Sequence, residues 1–140
     1  MTKILLISIL SLLPYFSLAQ EIDQLILNNE YDKALQIIDN ELIVNEAQPM
    51  LYLKKGIIQQ KRFDFVGAVA TLEKAYELDS INPNILSEIA EANSNLGDHR
   101  RALPYLKSLY NTDTTNTVKT LKLVRGYLNL RIYKEGRALL

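Results

Sequence analysis

The chain has 140 residues, 48% of them hydrophobic and 23% charged, an ordinary globular composition that suits one domain with its own core and excludes a disordered or collagen-like polypeptide. Its 16 basic and 16 acidic residues cancel, so no overall field draws it toward nucleic acid or an anionic membrane. There is no cysteine, which removes disulfides, a thiol nucleophile and thiolate metal sites and leaves packing to hold the fold.

In chain order, residues 1–19 read as a secretory signal peptide. Lys3 precedes the apolar run Ile4–Leu13, Pro14 breaks it, and Ser17-Leu18-Ala19 supplies small residues where a signal peptidase reads. An apolar run of about ten residues is half of the roughly twenty needed to span a bilayer. Cleavage is expected before Gln20, giving an exported protein, periplasmic or secreted, with no membrane span after cleavage. No cysteine follows the cleavage site, which argues against a lipoprotein-type anchor.

The remainder, 20–140, is predicted to be helical throughout. Apolar residues recur at three-and-four spacing, as in Leu35, Ile38 and Leu42 or Ala68, Leu72, Ala75 and Tyr76, which places them on one face of a helix. The predicted helices are 21–28, 31–45, 48–61, 64–78, 83–96, 99–111, 117–130 and 133–140. Asn28-Asn29 and Leu96-Gly97-Asp98 mark turns. Asp64 and Asp98 are placed to cap the helices that follow them, for about 1 kcal/mol each. Asp79-Ser80-Ile81-Asn82-Pro83 links one helix pair to the next, with Pro83 early in a helix where its missing donor does no harm. Pro104, inside the sixth helix, is expected to kink it without breaking it.

These elements repeat. Ala34, Ala68, Ala102 and Gly136 each stand 34 residues from the next. Just before them come Tyr31, Phe65, His99 and Tyr133, four residues after them Ile38, Leu72, Leu106 and Leu140, and twelve before them Ile22, Gly56, Ala90 and Val124. A period of this length signals a repeat architecture, and a small residue at a fixed point lets two helices approach closely.

The pattern resembles the tetratricopeptide repeat family, whose unit is a 34-residue helix–turn–helix. The second unit, from Gly56 through Ala68 to A75-YELDSINP-83, carries the likeness best; A90-EANSNLGDHRRALPYL-106 and Y127-LNLRIYKEGRALL-140 carry it onward. Lys55 stands where the family prefers leucine, Gln59 and Asn93 where it prefers tyrosine, Ser80 and Thr114 where it prefers proline. The resemblance implies an all-α, right-handed superhelical solenoid of antiparallel helix pairs with about three to three and a half repeats, in units of about 20–48, 49–82, 83–116 and 117–140, the last truncated.

It also implies a function: a scaffold that holds a peptide or protein segment in the concave groove lined by the first helix of each pair. The groove positions are Met50, Leu53, Lys54, Ile57 and Lys61 in the second unit, Asn84, Ser87, Glu88, Glu91 and Asn95 in the third, and Leu121, Lys122, Arg125 and Leu128 in the fourth. The family's carboxylate-clamping members need lysine, asparagine and arginine at places held here by Ser87 and Glu91, so capture of an acidic C-terminus is not expected. Aliphatic anchors, an acidic centre and a basic end suit an extended segment with a basic middle.

Catalytic, cofactor and metal sites are not expected. His99, the only histidine, fills a slot that other units fill with tyrosine or phenylalanine, and so reads as helix packing. Glu88 and Glu91 share a helix face three residues apart, which suits solvated groove lining as well as paired acids. Tyr31, Tyr76, Tyr110 and Tyr133 recur at equivalent slots and are assigned to packing between helices. There is no glycine-rich phosphate loop and no nucleophile elbow. Charge is uneven: Glu21 to Asp98 carries 14 acids and 6 bases, net −8, and His99 onward 9 bases and 2 acids, net +7. The basic part lacks the interleaved aromatics of a nucleic-acid module, so no nucleic-acid partner is expected. The final predicted helix is short and ends Ala138-Leu139-Leu140, which leaves two readings. In one, the reading frame is the leading segment of a longer repeat protein, and then the docking or sensory part of a larger regulator or enzyme as the alternative to a scaffold in its own right. In the other, the helix is a degenerate cap lying on the one before it. Self-association through that apolar end is the other expectation it raises.

Overall fold

The computed structural model describes residues 18–140, and among them every regular element is a helix. Residues 18–27 form the described part of α1, followed by α2 (Tyr31–Val44), α3 (Pro49–Lys61), α4 (Phe65–Leu78), α5 (Pro83–Asn95), α6 (His99–Asn111), α7 (Thr117–Asn129) and α8 (Tyr133–Ala138). From α2 to α7 these bounds fall within one residue of those expected. The eighth helix stops two residues short. Most of the predicted signal, residues 1–17, lies outside the described residues. Leu18 and Ala19, its last two positions, are helical and continuous with 20–27.

The chain divides into two compact units, one running to Glu46 and the other from Ala47. In the first, α1 and α2 are joined by a turn at Asn28-Asn29, and Ile22, Ala34 and Ile38 are fully buried.

The second unit holds α3 to α8, with neighbours in sequence packed against one another. Its main core gathers Leu53, Ala68, Leu72, Ala75, Ile85 and Ile89 from α3, α4 and α5. A second cluster joins Ala90, Leu106 and Leu123 from α5, α6 and α7, with Tyr127 and Leu139 packed against it. Small residues set the approach of paired helices as the repeat implied. Ala68 and Ala102 are at most 1% exposed, and a Cβ on Gly56 would lie 2.5 Å from Leu72 Cγ, closer than atoms can stand. Tyr76 of α4 meets Tyr105 of α6 edge to face, with ring centroids 5.2 Å apart.

The turns within the pairs are built alike. Asn29, Phe63, Gly97 and Arg131, again 34 residues apart, all have positive φ, between 60° and 79°. At each, two backbone bonds close the preceding helix. At Gly97 they run from Gly97 N–H to the Ser94 carbonyl and from Asp98 N–H to the Asn93 carbonyl, both 2.9 Å; Phe63 and Asp64, Asn29 and Glu30, and Arg131 and Ile132 repeat the pattern. This is the left-handed termination that satisfies the last carbonyls of a helix.

Caps follow the same register. Asp64 accepts from Gly67 N–H at 2.9 Å and Asp98 from Arg101 N–H at 3.1 Å, the two caps expected from sequence. Asn82 and Asn116 cap the first helices of their pairs, accepting from Asn84 N–H at 3.0 Å and Lys119 N–H at 3.2 Å. The α6 helix runs unbroken through the exposed Pro104. Of the tyrosines assigned to packing, Tyr76 and Tyr110 lie against the two cores. Tyr133 does not: it is 56% exposed at the start of α8.

Candidate functional site

The helices α3, α5 and α7 each open a pair, and each buries one side against its neighbours. In α5 the buried positions are Ile85, Leu86, Ile89, Ala90, Ala92 and Asn93; in α7 they are Leu123, Val124 and Gly126. The remaining side of each helix carries a repeating wall, because residues 34 apart occupy the same position on successive helices. One column reads Ile57, Glu91, Arg125; its neighbours read Lys54, Glu88, Lys122 and Met50, Asn84, Val118.

Side chains tie these helices together across the wall. Gln60 Nε2 of α3 donates to Glu88 Oε2 of α5 at 2.8 Å, and Asn95 Nδ2 donates back to Gln60 Oε1 at 3.4 Å. Lys122 Nζ of α7 donates to Ser87 Oγ of α5. Burial raises the pKa of the Glu88 carboxyl above its ordinary value and the nearby Glu91 charge pushes the same way, while the Gln60 hydrogen bond and the Lys122 and Lys61 charges oppose them. The two glutamates predicted to share a face therefore repel each other, and only Glu88 is shielded from water.

Between α5 and α7 the wall opens into a cleft of about 180 Å³. Ser87, Glu91, Asn95, Lys122 and Arg125, all expected from sequence, line it, together with Ser94 and Asn129. Ala90, Leu106 and Gly126 give it an apolar lining. The other expected positions lie outside the cleft. Met50, Leu121 and Leu128 are exposed by 43%, 53% and 48%; Lys61 and Asn84 are exposed; Lys54 and Ile57 are half-buried. Leu53 is a correction. It is 3% exposed and belongs to the main core, since its position on α3 turns toward α4 and α5 rather than outward.

The sequence reading missed Gln60, Ser94 and Asn129. The signal was present: Gln60 and Ser94 are the register equivalents of Leu128, and Asn129 of Asn95, so carrying each column through all three helices finds them. His99, half-buried at the start of α6, stands with Nδ1 3.5 Å from Asn129 Nδ2, between two helices as its slot implied. Among the described residues no three histidine or carboxylate groups are arranged to hold a metal ion, and no helix is long and apolar enough to cross a membrane.

No family model and no curated protein matches the sequence. Solved structures do match. YrrB, described as a TPR protein with an unusual peptide-binding site, is 19% identical with a TM-score of 0.78 over 84% of this chain and 61% of that one. MamA from Desulfovibrio magneticus RS-1, from its residue 41 to the end, is 14% identical with a TM-score of 0.78 over 87% of this chain and 69% of that one. The first TPR of Spaghetti (RPAP3), bound to the HSP90 peptide SRMEEVD, is 16% identical with a TM-score of 0.76 over 83% of this chain and 92% of that one. The chain thus spans less than two thirds of the YrrB structure. At these identities the likeness shows the fold: an all-α solenoid of antiparallel helix pairs of the tetratricopeptide-repeat kind.

Proposed function

We propose that this protein is a non-catalytic interaction scaffold that holds an extended peptide or protein segment along the wall of α3, α5 and α7. The observation that carries this reading is the wall itself, three register-matched helices that carry exposed Met50, Leu121 and Leu128, with a polar cleft between two of them. Exposed apolar side chains beside placed polar groups form the usual anatomy of a binding surface. Peptide-bound neighbours with the same fold, such as the RPAP3 repeat with its HSP90 peptide, support it. The departures at Ser87 and Glu91 steer the ligand away from an acidic C-terminus.

The test is selection from a displayed library of randomised dodecapeptides on wild type and on Met50→Glu/Leu121→Glu. Both residues are exposed, so the variant keeps the far-ultraviolet circular dichroism of wild type. Enrichment on wild type and its loss on the variant is the expected result; equal recovery on both removes the groove. Setting is a separate part of the proposal. The run Lys3 to Ala19 supports export to the periplasm or beyond, and N-terminal sequencing of the protein from cells is expected to start at Gln20. A start at Met1 overturns export by cleavage.

A further inference from the structure

Within the cleft the three charges are not equivalent. Lys122 is engaged by Ser87, but neither Glu91 nor Arg125 has a side-chain hydrogen bond or ion pair with any described residue. The two occupy the same register position on neighbouring helices and line one cavity, both exposed, without pairing with each other. Ile57, half-buried on α3, continues the column on the other side of Glu91. A ligand of one charge sign gains at one of these two groups and loses at the other. A ligand carrying both signs gains at both only when they come in the right order. The lining of Ala90, Leu106 and Gly126 suits the methylene stems of long charged side chains, whose tips then reach the rim.

We propose that the wall reads charge order: it selects an extended segment that places an apolar side chain against Ile57, a basic one against Glu91 and an acidic one against Arg125. The proposal rests on the groove reading above and sharpens it from a basic middle to a directional apolar–basic–acidic sequence. Same-side residues of an extended chain are about 6.6 Å apart, so the basic and acidic residues stand two positions apart in the ligand, both facing the wall.

The test uses the same randomised dodecapeptide library on wild type and on the double reversal Glu91→Arg/Arg125→Glu, followed by fluorescence anisotropy with the best recovered peptide and a version whose basic and acidic residues are exchanged. Wild type is expected to bind the original about fivefold more tightly than the exchanged version, the scale of an exposed ion pair, and the double reversal is expected to prefer the exchanged one. Both preferences shrink in high salt. Peptides recovered without a charge order, or the same order recovered on both proteins, overturn the inference while leaving the groove in place. If nothing is enriched on wild type, the groove reading falls and this inference with it.

Discussion

Gln59, Asn93 and Tyr127 fill one slot of the repeat on three successive helices, and the first two are where the structure carries unmet polar atoms. Asn93 is 1% exposed; its Nδ2 donates to the Ile89 carbonyl at 2.8 Å, but Asn93 Oδ1, like Gln59 Oε1, is buried with no partner. An orphaned buried acceptor costs about 1–3 kcal/mol, more than a back-bond to a carbonyl already serving the helix returns. Asn93→Leu removes the orphan and keeps the branching of the side chain, so it is expected to raise the stability of the second unit by about 1 kcal/mol, read as a higher urea midpoint at unchanged slope. A lower midpoint would show that the two methyls that replace the amide oxygen and nitrogen are too large for the space. The residue types at 59 and 93 were legible as departures from the family's tyrosine. That the departures are buried was not, because burial depends on helix phase against neighbours the sequence does not display.

At the scale of elements, helices, turns and second-helix caps were legible almost to the residue. The reason is that the signals are local: spacing of Leu72 and Ala75, Pro83 at a first turn, aspartate before a helix. The asparagine caps at Asn82 and Asn116 were equally local and were overlooked, although their 34-residue separation gives them away. The turn conformation is the subtler case. Gly97 and Asn29 announce a left-handed residue, yet Phe63 adopts φ 62° at the equivalent place, with its ring 81% exposed and 6.2 Å from that of Phe65. A side chain there strains the backbone by about 1–2 kcal/mol, which the two closing hydrogen bonds of the turn offset. Gly97→Ala is therefore expected to lower stability by about 1 kcal/mol. Phe63→Gly is expected to change it the other way by less, since glycine also frees the unfolded chain. Thermal melting of both variants checks the pair; a drop for Phe63→Gly comparable to that for Gly97→Ala would mean that the exposed ring holds the turn through Phe65.

For the whole molecule, the period made the fold class legible, and with it which positions recur along α3, α5 and α7, because register turns one assigned position into three. What the period could not supply is depth: it put Leu53 on the wall with Ser87 and Leu121, and the structure buries it while leaving Leu121 exposed. Nor could it show which charges on the wall are satisfied. Glu88 is the case with a measurable consequence for the stability of the second unit. Its folded-state pKa lies above the ordinary glutamate value of 4.5, through burial first and Glu91 second, so the fold favours the protonated form more than the unfolded chain does. The sign follows: well above the folded pKa both states hold the carboxylate, and the folded state bears its burial and its repulsion from Glu91. As pH falls through the folded pKa the folded state takes up the proton first, and stability relative to neutral pH grows until both states are protonated below 4.5. Glu88→Gln keeps an acceptor for the Gln60 amide and removes the charge. It is expected to be more stable than wild type at pH 7, by a margin that narrows as pH falls and closes below the carboxylate range. The difference between the two urea midpoints, followed from pH 7 to pH 4, cancels the carboxylates that do not interact with Glu88 and reports this group together with its repulsion from Glu91. A margin constant across that range would mean that the Gln60 hydrogen bond and the Lys122 and Lys61 charges balance the burial; one that favours wild type at neutral pH would mean that they outweigh it.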